Sequence, residues 1–110
     1  SDPYNDSVIS SNEPSTTLVA KGLSISATEL DIHEAFRQYA LVKNVTIVRD
    51  PLTQISKGLA LIEFNNIQYA THTLNAAQNM LFQGRPLKVS YAKSSFVTDT
   101  IAFASLAPNC

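Results

Sequence analysis

The sequence predicts an α+β fold, a four-stranded antiparallel sheet with two helices packed on one face. Three observations predict it. Stretches 16–23, 42–49, 57–64 and 87–92 read as strands, with side chains sorted by alternation onto two faces. Two stretches, opening at Thr28 and Asn66, carry apolar residues at helical spacing instead. Their order is strand, helix, strand, strand, helix, strand, the split βαβ pattern, which covers one sheet face with helices and leaves the other open.

Residues 1–15 are rich in Ser, Asn, Asp and Pro and hold three acids and no bases, so they read as a flexible acidic tail. In the first strand Leu18 and Ala20 share one face, Val19 and Lys21 the other. Thr28 opens the first helix, with Asp31 three residues on as a weak capping box. Ile32, Ala35, Phe36 and Tyr39 form its apolar stripe, and Leu30 falls off it. Glu29, Asp31 and Glu34 suit a solvated face near the positive end of the helix dipole. Val45 and Ile47 face inward from the second strand, Thr46 and Val48 outward, and Asp50-Pro51 opens a loop. The strand 57–64 puts Gly58, Ala60, Ile62 and Phe64 on one face and Lys57, Leu59, Leu61 and Glu63 on the other. The first set suits a core; the second places two leucines where water is expected. Asn66 caps the second helix, whose stripe is Ala70, Thr73, Leu74 and Ala77. Gln83-Gly84-Arg85-Pro86 is a turn, and Leu87, Val89 and Tyr91 point inward from the last strand with Lys88 and Ser90 outward. The result is a ferredoxin-like βαββαβ sandwich over residues 16–93, followed by an extension, 94–110, in which Val97, Ile101 and Ala104 fit helical spacing.

With 110 residues, 45% hydrophobic and 15% charged, the chain suits one globular domain with a modest core. No apolar run approaches 18 residues, so no membrane span is expected. The one cysteine, Cys110, is terminal, which fits a reducing compartment and leaves no internal disulfide or multi-cysteine metal site. The formal net charge is −1, but residues 16–93 hold all eight bases against five acids, a surplus of three positive charges. Nothing points to catalysis or a cofactor. His33 and Glu34 are helix neighbours that point apart. His33 and His72 read as surface residues, and a terminal Cys110 is poorly placed to be held against a base.

Two segments resemble the RNA recognition motif. Lys57-Gly58-Leu59-Ala60-Leu61-Ile62-Glu63-Phe64 is similar to its octamer and Leu18-Val19-Ala20-Lys21-Gly22-Leu23 to its hexamer. The loop Asp50…Thr53…Ser56 and the segment Gly84-Arg85-Pro86-Leu87-Lys88-Val89 also resemble the family. The resemblance implies single-stranded RNA binding on the open face, in a nuclear or cytoplasmic protein of mRNA processing and splicing, as a monomer. The departures qualify it. The family stacks bases on rings at positions held here by Val19, Leu59 and Leu61. One base-on-ring stack contributes roughly 1–3 kcal/mol, so binding is expected to be weak. The expected RNA contacts are Val19, Lys21, Lys57, Leu59, Leu61, Lys88, Ser90, Tyr91 and Lys93, with Lys43, Arg49 and Arg85 at edges and loops. Two other uses of the apolar face stay open at this point. It is a protein-interaction patch if it is free, or it is covered from within by residues 94–110, where Phe96 and Ile101 are the candidates.

Overall fold

A computed structural model of the chain describes residues 3–106, with side chains as far as Phe103. Asp2 and Cys110 lie outside the described residues, as do the side chains of Ala104 and Leu106. In chain order the elements are α1 (Asp6–Ile9), β1 (Ser10–Ser11), β2 (Thr17–Lys21), α2 (Glu29–Phe36), β3 (Val42–Arg49), β4 (Ser56–Phe64), α3 (Ile67–Ala76), β5 (Leu81–Phe82), β6 (Arg85–Pro86), β7 (Lys88–Ala92) and α4 (Ser94–Leu106). The expected four strands pair antiparallel in the order β7-β2-β4-β3, and β1 adds a fifth beyond β7.

Local chemistry explains the helix starts. Thr28 Oγ1 accepts from the Asp31 N–H and Asp31 Oδ2 accepts from the Thr28 N–H, both at 3.1 Å, so the capping box is complete. The backbone N–H of Thr28 first, and then its hydroxyl, hold the Asp31 carboxyl below its ordinary pKa. Asn66 Oδ1 accepts from the Tyr69 N–H at 2.8 Å and starts α3. Ile32 and Phe36 are fully buried, and Leu30 is exposed as its spacing predicts. Tyr39 packs on the core from the turn beyond α2.

Strand register sorts the apolar residues into two clusters. Leu18, Ala20, Val45, Ile47, Ala60, Ile62, Phe64, Leu87 and Val89 lie with Ile32, Phe36 and Ala70 on the helical side. Val19, Val48, Leu59 and Leu61 lie on the outer side. Val19 pairs with Leu61, and Leu61 with Thr46, so the outer residues of three neighbouring strands meet. Gly58 fixes how β2 ends against β4. Its φ is +74°, and an added Cβ would lie 3.1 Å from the Leu23 carbonyl oxygen. That close approach lets the Gly58 carbonyl accept from both the Gly22 and Leu23 N–H groups.

The flanks differ from expectation. A flexible tail is expected over residues 1–15, but within them Asp6–Ile9 is helical, Ser10 and Ser11 pair with Ala92 and Tyr91, and Ile9 is buried. The reason is apolar area: Ile9 joins the outer cluster, where Phe96 of α4 also sits and Tyr4 and Val97 pack against it. The outer face is therefore covered from both ends of the chain. Leu59 and Leu61 are 1% and 0% exposed, which removes the free apolar patch required by a protein-interaction reading of that face.

Candidate nucleic-acid interface

The sheet puts six of the nine expected RNA contacts, Val19, Lys21, Leu59, Leu61, Lys88 and Ser90, at mutually paired positions on β2, β4 and β7. Lys88 pairs with Lys21 across β2 and β7 and lies on the same face. Val19, Leu59 and Leu61 are shielded by Ile9 and Phe96. Ser90 Oγ is bonded to Ser10 Oγ at 2.7 Å, inside the contact between β1 and β7.

The cations around this face are held by the N-terminal segment. Lys21 Nζ donates to the Tyr4 carbonyl at 2.9 Å, and Lys93 Nζ to the Ser7 carbonyl at 3.0 Å. Lys88 Nζ pairs with the Asp6 carboxylate. The Lys93 backbone N–H also donates to the Ile9 carbonyl at 2.8 Å, which pins the segment where β7 gives way to α4. Lys57 stands apart, 3.6 Å from Asp50 in the β3–β4 loop. The Asp50 carboxyl is held below its ordinary pKa by the backbone N–H of Thr53, then that of Leu52, with Lys57 adding a smaller pull. Lys43 and Arg85 are exposed.

Tyr91 corrects the expectation of a strand-end contact. Its ring belongs to the core beneath the helices, and its hydroxyl is bonded to Thr71 Oγ1 of α3. Alternation along β7 already turns it inward; only its nearness to Lys93 in sequence places it among the expected contacts.

Sequence reasoning missed Tyr4, Ile9, Asp6 and Ser7. The one signal was the presence of Tyr4, Val8 and Ile9 in an otherwise polar stretch, together with an outer face too apolar to stand in water. On the β3 side the cover is incomplete. A groove of about 500 Å³ remains there, bordered by Tyr4, Thr46, Val48, Phe96 and Phe103 among others.

The motifs sit on the expected strands, and the family model for the RNA recognition motif matches residues 18–88. The chain belongs to the RNA recognition motif family. It is 34% identical over 80 residues to Transformer-2 protein homolog alpha of Mus musculus, an alignment covering 73% of this chain and 28% of that protein. It is 33% identical over 78 residues to the probable splicing factor, arginine/serine-rich 4, of Caenorhabditis elegans, covering 71% and 40%. The chain thus spans well under half the length of these relatives. Among solved structures, the RNA15 RRM superposes with a TM-score of 0.70 at 26% identity, covering 78% of this chain and 99% of that one. A Sxl-lethal protein/RNA complex superposes with a TM-score of 0.63 at 28% identity, covering 70% and 47%. Among the described residues no group of His, Cys, Asp and Glu is arranged to hold a metal ion, and no helix is long and apolar enough to cross a membrane.

Proposed function

We propose that this chain is a non-enzymatic RNA-binding module of a protein in mRNA processing, and that it binds single-stranded RNA weakly because its own flanks occupy the sheet face. Splicing-factor relatives and likeness to a protein/RNA complex support the RNA assignment. A nuclear or cytoplasmic location fits the same relatives, and the module is taken to act as a monomer. The observation that carries the weak binding is the closure of a ring-free face. RNA that reached Val19, Leu59 and Leu61 would have to displace Ile9 and Phe96, and would then find no aromatic ring at those positions. Phosphates seeking Lys21, Lys88 and Lys93 would compete with the Tyr4 carbonyl, the Asp6 carboxylate and the Ser7 carbonyl.

The test is a titration of labelled single-stranded RNA at low and high salt, with Asp6→Ala beside the parent chain. Weak, salt-sensitive binding is expected. Asp6→Ala frees the Lys88 ammonium, so affinity should rise and the slope of log affinity against log salt should steepen by about 0.7, one additional phosphate contact on a single strand. No binding at low salt would end the RNA assignment. Binding unaffected by Asp6→Ala would remove the Asp6 carboxylate as a competitor for Lys88.

A further inference from the structure

The groove left uncovered beside β3 has walls unlike the rest of the outer face. The hexamer and octamer contribute no rings there, but the flanks do. Tyr4 comes from the N-terminal segment, and Phe96 and Phe103 from α4. Tyr4 and Phe96 meet edge to face, with ring centroids 6.2 Å apart, while Phe103 is 53% exposed. The floor is the outward side of β3, with Thr46 and Val48. A mostly apolar recess with exposed aromatic area and a few polar groups at its rim has the character of a small-ligand site.

We infer that this groove takes one unpaired nucleobase, stacked against Phe103, so that the flanks return to the sheet the ring surface its strands lack. The inference rests on the RNA-binding reading above and extends it to a site. Charge decides which part of a nucleotide enters. Arg49 is engaged, with Nη2 3.1 Å from Glu29 Oε1 and Nη1 3.1 Å from the Gln54 carbonyl. Asp99 adds a second carboxylate to the lining. With Arg49 offsetting Glu29, the lining keeps one net negative charge, that of Asp99, which disfavours a phosphate but not a neutral base. Carboxylates accept hydrogen bonds, so the exocyclic amino groups of adenine, cytosine and guanine suit this rim, and uracil offers only its ring N–H.

The experiment compares a short oligoadenylate with an abasic strand of the same length and charge, on the parent chain and on Phe103→Ala at low salt. Phe103 is half exposed, so the variant should keep its fold, which its thermal midpoint checks. The expected result is tighter binding of oligoadenylate than of the abasic strand. Phe103→Ala should then weaken oligoadenylate binding by about 5- to 150-fold, the weight of one stack, and leave the abasic strand unchanged. Oligoadenylate affinity that is unchanged in Phe103→Ala overturns the inference and leaves the groove to a protein side chain. Affinity that rises overturns it too, because α4 would then act only as a cover. If neither strand binds the parent chain at low salt, the RNA-binding reading itself fails, an outcome separate from the other two.

Discussion

Replacing Ile9 by Ala separates the cover from the domain it covers. Ile9 is 1% exposed, sits among Val19, Leu59, Leu61 and Phe96, and its carbonyl accepts from the Lys93 N–H. Burying one such side chain contributes about 1.5–3 kcal/mol, and truncating a core isoleucine to alanine costs about 2–5 kcal/mol. The full cost applies only where the surroundings cannot let go. Residues 3–11 reach the sheet through one short strand pair and a few side-chain bonds, whereas the helical-side core has its own set of residues. The segment can therefore open locally, and its opening free energy caps the loss. We expect global unfolding to shift by about 2 kcal/mol or less. Protection of the Lys93 amide should fall by about 30-fold, the same 2 kcal/mol expressed as an equilibrium ratio. Ile62→Ala, in the other cluster, is the control and should cost about 2–5 kcal/mol globally. Native-state amide exchange with denaturant titration of both variants reads this directly. Unchanged Lys93 protection in Ile9→Ala, or a global loss as large as that of Ile62→Ala, would refute a separately opening cover.

Tyr91→Phe removes the bond to Thr71 and should cost about 0.5–1.5 kcal/mol in denaturant titrations while leaving RNA affinity within about twofold; a variant that lost RNA binding at full stability would return Tyr91 to the interface. Acid stability carries a signature of the α2 cap. The Asp31 carboxyl is held below the usual carboxylate range by the Thr28 N–H, so its contribution is present above the unfolded value and is lost as pH falls through the lower folded value. Asp31→Ala should lower the urea midpoint near neutral pH and flatten its decline below about pH 4, and parallel pH profiles for variant and parent would contradict this.

The four long strands to within two residues, both helix caps and the division of β2, β3 and β4 into two faces were readable in the sequence because each depends on near neighbours, whereas the short strands β1, β5 and β6 were not. Alternation places Leu59 and Leu61 opposite Ala60 and Ile62 whatever the rest of the chain does. Thr28 and Asp31 close a ring of bonds within one turn. The same local rule turns Tyr91 inward, and the error there comes from setting it aside in favour of sequence proximity to Lys93.

What covers the outer face was a matter for tertiary structure alone. Tyr4 and Ile9 sit among polar residues without a period, so no local pattern marks them as part of an apolar cluster. Their burial depends on a surface assembled from β2, β3 and β4, residues far from them in sequence. The helical spacing in α4 was visible, but a helix can point its apolar side at any surface that offers area. Phe96 and Ile9 meet on this one because Val19, Leu59 and Leu61 form an apolar, ring-free platform that would otherwise face water.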